Sequence, residues 1–160
     1  MHREMRRKDR EITREEAVEI LKKAEYGILS TLNSDNTPYG IPINFILENN
    51  TIYFHIAKEG QKLDNMLANP SVTLTVVGQT EPVAEGNSYS TYFESAIAFG
   101  KVNIVDDPTE IKNALYILTK KYFPDNMDTF EASIAGNSLS RVYIIAMNIE
   151  HLSGKAKKKM

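Results

Sequence analysis

The residues of this chain best suited to chemistry lie where a predicted strand is followed by the start of a helix. Alternation along the strand 52–57 puts His55 on the side opposite Ile56, and Gly60 and Lys62 then open the helix. A helix N-terminus has unpaired backbone N–H groups and the positive end of the helix dipole, so Lys62 would add a cation to an anion pocket. The spacing therefore predicts a phosphate site beside an imidazole.

A second interpretation of the same residues stays open. A lysine in the first turn of a helix is most often a solvated surface residue, and a strand histidine is more often a hydrogen-bonded structural group than a ligand. From this segment alone, Lys62 and His55 fit a role as surface or structural residues as well as a role in a ligand site.

Composition narrows the class of protein. The chain has 160 residues, 42% of them hydrophobic, which predicts a single compact domain over 1–160. It has no cysteine, which excludes disulfides, thiolate metal sites and a thiol nucleophile. The charged N-terminal segment and the lack of any apolar run near roughly 20 residues predict a cytoplasmic protein with no membrane partner.

Charge gives little reason to expect a nucleic-acid partner. The formal net charge is −2, although both ends of the chain are basic. We interpret residues 155–160 as a short, solvated basic tail, and nucleic-acid contact there is the alternative.

Hydrophobic periodicity and turn signals outline the elements. Thr13 and Glu16 have the spacing of a capping box and predict a helix over 13–25. Further helices are predicted over 62–68, from 108 to 122, and briefly before Gly136. The predicted strands, of which the first three should be neighbours, are 26–32, 39–47, 51–57, 72–77, 92–105 and 141–149.

The order of these elements predicts a mainly β (α+β) fold. There is no strand–helix–strand alternation and no Gly-x-Gly-x-x-Gly motif, which disfavours a doubly wound nucleotide-binding fold. A closed or split antiparallel barrel buries such strands without long open edges.

Several short motifs, taken in order, resemble a known family. They are Tyr-Gly-Ile-Leu-Ser-Thr-Leu-Asn at 26–33, Pro-Tyr-Gly-Ile-Pro-Ile at 38–43, Tyr-Phe-His-Ile-Ala-x-x-Gly-x-Lys at 53–62, Asn-Pro at 69–70, and Phe-Glu-Ser-Ala-Ile-Ala-Phe-Gly at 93–100. This arrangement is similar to the pyridoxamine-5′-phosphate-oxidase-like FMN-binding split barrels, and within them to the nitroimidazole-resistance (Nim) group. The resemblance covers nearly the whole chain and implies a six-stranded antiparallel FMN-binding split β-barrel with peripheral helices.

The resemblance also implies a cofactor site shared by two subunits. It places the FMN phosphate near Gln61 and Lys62, and the ribityl chain or ring beside His55, Ile56 and Ala57. The isoalloxazine edge would meet backbone groups of Ile41, Pro42, Ile43 and Asn44. The second subunit would contribute the strand with Glu94 and Ser95, so a homodimer is expected.

The implied activity is that of an FMN-dependent oxidoreductase reducing small compounds such as 5-nitroimidazoles. Because flavin supplies the redox chemistry, few catalytic side chains are needed. We expect His55 to orient or protonate the substrate, Tyr39 and Tyr92 to form apolar walls or pack in the core, and no metal to be bound.

Two alternatives stay open at this point. One is a non-catalytic flavin-binding or storage module. The other is a pyridoxamine-phosphate-oxidase-like oxidase, which the C-terminus disfavours: those oxidases end in an Arg-Leu-x-Pro type segment, whereas this chain ends in Gly-Lys-Ala-Lys-Lys-Lys-Met at 154–160.

Overall fold

Seven strands form one antiparallel sheet in the structure, a computed structural model that describes residues 2–160, with 137 and 138 described by their backbone only. The strands are β1 Gly27–Leu32, β2 Pro38–Ile43, β3 Ile46–Glu48, β4 Thr51–Ala57, β5 Ser71–Glu85, β6 Ser88–Ile104 and β7 Val142–Lys157. The order across the sheet is β2-β1-β5-β6-β7-β4-β3, and the two edge strands leave it unclosed. The predicted fold class, a split antiparallel barrel with peripheral helices, is confirmed.

Four α-helices accompany the sheet: α1 Arg14–Lys23, α2 Gln61–Ala68, α3 Pro108–Tyr122 and α4 Phe130–Ala135. The predicted capping box is present at α1. The Thr13 hydroxyl accepts a hydrogen bond from the Glu16 N–H at 3.2 Å, and the Thr13 N–H donates to the Glu16 carboxylate at 2.8 Å. No helix within residues 2–160 is long and apolar enough to cross a membrane.

The segment 39–47 is two strands rather than the single strand predicted. β2 pairs with β1 at one edge of the sheet, and β3 pairs with β4 at the other. The predicted pairing of this segment with its neighbours on both sides is present, but the first three predicted strands do not lie side by side, and the strand count is seven instead of six. The physical reason lies at the crossing, where Phe45 and Ile46 are both buried in succession and interrupt the period-2 alternation that a continuous strand requires.

β5 and β6 extend beyond the predicted 72–77 and 92–105 into an exposed two-stranded arm. The ladder continues to the Glu85–Ser88 pair at its tip, after a register shift between Val77 and Thr80. Most side chains of the arm are exposed, so the hydrophobic pattern used for the prediction is absent there.

The last strand also extends further than predicted. β7 ends at Lys157 rather than near 149, so the tail predicted over 155–160 is a strand for its first three residues. Lys155 pairs with Ser95, and Ala156 is buried between the two lysines. The Lys155 ammonium lies 5.7 Å from the centre of the Phe93 ring. Lysine side chains on a strand can pack their apolar stems on the surface while the charged end stays in water.

The core lies between the sheet and α1. Its fully buried members include Leu21 of α1, Phe54 of β4 and Leu74 of β5. Burial of such side chains contributes about 1.5–3 kcal/mol each and fixes the register of the strands that present the site.

Candidate functional site

β4 presents His55 to the outside of the barrel, as the alternation predicts. Phe54 and Ile56 are 0% and 2% exposed within the core, while His55 and Ala57 are exposed. The β4 backbone is paired with β7 along its whole length, with His55 opposite Ile144. On its other side β4 pairs with β3 only as far as Tyr53, so the imidazole projects from a strand that is paired at His55 with β7 alone.

An open groove of about 450 Å³ lies beside this imidazole and is lined by Tyr26, Pro42, Ile43, Asn44 and His55. The end of β2 and the middle of β4 are far apart in sheet order, but the crossing segment brings them together here. The structure thus brings four of the predicted site residues into one place: Pro42, Ile43, Asn44 and His55.

Tyr26 is a wall of this groove that the sequence reasoning missed. It is 58% exposed and immediately precedes β1. From the sequence, Tyr26 is predicted only as the first residue of the strand 26–32. The signal that could have identified it as a wall is an aromatic side chain outside the apolar alternation that faces the core.

The backbone beside the groove is held by the C-terminal end of α3. The Tyr122 hydroxyl accepts from the Phe45 N–H at 3.1 Å and lies 2.6 Å from the Glu25 carbonyl, while the Lys121 ammonium donates to the Phe45 carbonyl at 2.8 Å. Lys121 also lies 4.3 Å from the Phe45 ring centroid. Burial lowers the pKa of Lys121 to about 8, and burial likewise raises the pKa of the Tyr122 hydroxyl.

The second part of the predicted site is the N-terminus of α2. Gly60 precedes the helix with a φ of 128°, which only glycine adopts readily, and no side chain caps the first turn. Backbone N–H groups at that end therefore lack a side-chain acceptor. Lys62 is half-buried in this turn and makes no hydrogen bond or ion pair with the described residues 2–160.

Polar contacts with the β1–β2 turn fix the position of α2. Asn65, only 6% exposed, donates to the Thr31 hydroxyl and to the Asn33 side-chain oxygen, both at 2.9 Å. The Gln61 amide donates to the same Asn33 oxygen at 2.7 Å. Gln61 thus uses its side-chain amide within the fold, which leaves its backbone N–H as its donor at the helix start.

The remaining predicted site residues lie elsewhere in a single chain. The Ile56 side chain is in the core and Ile41 packs against it, so only their backbones can meet a ligand. Glu94 and Ser95 are half-buried in β6 and do not line the groove beside His55. Glu94 instead borders a second depression of about 470 Å³ whose lining includes Tyr26, Ile28 and Val77.

The two tyrosines predicted as walls do not line the groove either. Tyr39 is half-buried on β2, opposite Thr31. The Tyr92 hydroxyl donates to the Glu85 carboxylate on the arm, and this hydrogen bond raises the pKa of Tyr92. A wall role for Tyr92 in the His55 groove of its own chain is therefore wrong.

Comparison with known proteins agrees with this architecture. Residues 13–156 match the family described as pyridoxamine 5′-phosphate oxidase, and the chain belongs to that family. No curated protein sequence matches the chain.

Solved structures with the same fold cover nearly all of the chain. A proposed 5-nitroimidazole antibiotic resistance protein from Bacteroides thetaiotaomicron is 26% identical, with a TM-score of 0.76 over 91% of this chain and 85% of that one. A flavocytochrome from Azotobacter vinelandii is 16% identical, with a TM-score of 0.79 over 98% and 73%. An FAD- and haem-binding protein from Mycobacterium smegmatis is 18% identical, with a TM-score of 0.77 over 92% and 72%. At these identities the last two show the shared fold.

Proposed function

We propose that this protein is an FMN-binding oxidoreductase that reduces small oxidised compounds, with 5-nitroimidazoles as the substrate class. The observation that carries the proposal is the groove in which the exposed His55 imidazole meets Pro42, Ile43 and Asn44. Membership of the pyridoxamine 5′-phosphate oxidase family and the likeness to the Bacteroides protein support it.

The residues present fit a flavin mononucleotide. The uncapped N–H groups of α2 and the unpaired Lys62 form one place for a phosphate, and Gly60 has no heavy atom within 4 Å of where a Cβ would lie. Peptide groups of 41–44 would border the ring, with His55 and Ala57 beside the ring or ribityl chain. FMN has a single phosphate, which matches this single site better than FAD does.

When bound, the flavin would supply the electrons, and the chain would supply binding, orientation and a proton donor. His55 suits the last role because an imidazole can transfer protons near neutral pH and because the pairing of β4 with β7 fixes its backbone beside the groove. The exposed Tyr26 would restrict which flat molecules enter.

A homodimer completes the proposed site. Tyr26, Ile28 and Val77 are 58%, 37% and 62% exposed and border one depression with Glu94. Contiguous exposed apolar residues of this kind mark interaction surfaces. A second copy of the chain that covers these residues would bring its own Glu94 and Ser95 towards the groove. In a two-fold dimer each subunit would make the same contribution to the other subunit's groove.

Anaerobic reoxidation of the flavin tests the activity. FMN-loaded protein would be reduced chemically and mixed with a 5-nitroimidazole, with free reduced FMN as the control. We expect reoxidation faster than that of free FMN. Stoichiometric FMN with no such acceleration by nitro compounds or quinones would indicate a storage module, and turnover of pyridoxamine phosphate would indicate an oxidase.

A further inference from the structure

One residue outside the groove is hydrogen-bonded to the backbone beside two of the groove walls. We propose that the Tyr122 hydroxyl is a positioning group that fixes the Tyr26 wall relative to the Asn44 wall of the proposed flavin site. The inference rests on the proposed function for its effect on flavin binding, but its effect on the backbone is independent of any ligand.

The backbone lacks sheet partners where the chain crosses from β2 to β3. Residues 44 and 45 lie between β2 and β3, where the chain leaves one edge of the sheet for the other. Backbone groups outside the ladders need other partners when they are buried. Phe45 is fully buried, and its N–H and carbonyl are bonded to Tyr122 and Lys121 of α3.

The hydroxyl of Tyr122 also reaches the Tyr26 wall of the groove. The Tyr122 hydroxyl lies 2.6 Å from the carbonyl of Glu25, the residue before Tyr26, and 3.1 Å from the Phe45 carbonyl. Its one proton goes to the nearer Glu25 carbonyl, since the Phe45 carbonyl already accepts from Lys121 at 2.8 Å. Since Asn44 precedes Phe45 and Tyr26 follows Glu25, one oxygen atom joins the peptide units on both sides of the groove.

Only the hydroxyl of Tyr122 is required to connect the two walls. Replacing Tyr122 by phenylalanine keeps the ring but leaves the Phe45 N–H and the Glu25 carbonyl without this partner. Loss of net hydrogen bonds of ordinary strength would release each segment about tenfold more often. A ligand that needs both walls in place then binds more weakly by the factor by which the ordered fraction falls, which is at most about tenfold.

The first arm of the experiment is hydrogen exchange of the ligand-free protein. Tyr122→Phe is compared with Tyr116→Phe, a tyrosine on the same helix whose ring packs on Phe130 at 5.3 Å. We expect faster amide exchange of about tenfold in peptides covering 25–27 and 44–46 for the first variant only, with the β4 and β7 amides unchanged. Exchange equal to the wild type in both segments overturns the inference, as does a uniform increase over the whole sheet.

The second arm is flavin titration well below the melting temperature, where both variants are folded. We expect the FMN dissociation constant of Tyr122→Phe to rise by the factor by which hydrogen exchange shows the ordered fraction to fall, at most about tenfold, and that of Tyr116→Phe to be unchanged. In a wild type that binds FMN, an unchanged FMN affinity of Tyr122→Phe despite a lower ordered fraction overturns the positioning role. A wild type that binds no FMN refutes the proposed function, and the exchange result then still decides whether Tyr122 connects the two walls.

Discussion

Substitution of Lys62 is the sharpest test of the proposed phosphate site, because the Lys62 ammonium has no partner in the part of the chain that the structure describes. The side chain is half-buried at an uncapped helix start and has no hydrogen-bond or ion-pair partner among residues 2–160. The helix itself is held by buried Leu63, Asn65 and Met66. Replacing Lys62 by alanine should therefore leave the free energy of unfolding nearly unchanged, since alanine is a good helix former.

The expected loss in flavin affinity follows from the hydrogen bond that a phosphate would receive. A hydrogen bond between charged partners contributes about 1.5–3 kcal/mol, which corresponds to roughly a 10- to 150-fold higher dissociation constant for FMN in Lys62→Ala. Because the interaction is electrostatic, raising the salt concentration should weaken FMN binding less in the variant than in the wild type.

Quenching of flavin fluorescence on titration with protein measures this change. Lys120→Ala, an exposed lysine on α3, is the matched control and should bind FMN as the wild type does. Riboflavin, which lacks the phosphate, should bind to the wild type and to Lys62→Ala with nearly the same affinity. Equal FMN affinity in the two proteins would refute the phosphate site and leave Lys62 as a surface residue.

Four further outcomes follow from the same geometry. His55→Ala should lower the rate of nitro reduction at least roughly tenfold per bound flavin, because general acid catalysis contributes about a hundredfold or more, and stopped-flow reoxidation would show no change if the imidazole has no part. Asn65→Ala should lower the free energy of unfolding by about 1–3 kcal/mol and weaken FMN binding through α2, as urea denaturation and titration would measure, with wild-type values in both contradicting the anchoring role. Light scattering should report twice the chain mass, and Val77→Asp should yield monomers with weakened FMN binding, whereas a monomeric wild type with full affinity would exclude a shared site. Because burial lowers the pKa of Lys121 to about 8 from 10.5, the unfolded chain binds more protons between these pH values, so the free energy of unfolding should rise with pH across that window and Lys121→Met should abolish the rise.

The sequence predicts the local features of the fold because they depend on neighbouring residues. The capping box at Thr13 and Glu16, the alternation that exposes His55, and the glycine before α2 are all set within a few residues. Each of these is confirmed, and the last two contribute to the candidate site.

The features that the prediction missed depend on residues distant in sequence. The break at Phe45 is stabilised by Tyr122 and Lys121, 77 and 76 residues later in the chain, so no local pattern indicates it. The C-terminal lysines look like a solvated tail, yet backbone pairing with β6 makes them a strand. Likewise Tyr26 lies beside Asn44 through the pairing of β1 with β2, and it becomes a groove wall only because the crossing brings His55 to the same place.

Identification of the bound cofactor tests the central claim most directly. The protein would be purified, its visible absorption recorded, and the cofactor released by heat and identified by chromatography and mass, before and after reconstitution with FMN. We expect a yellow protein that holds one FMN per chain. FAD or haem as the bound group, or no ligand even after reconstitution with FMN, would contradict it.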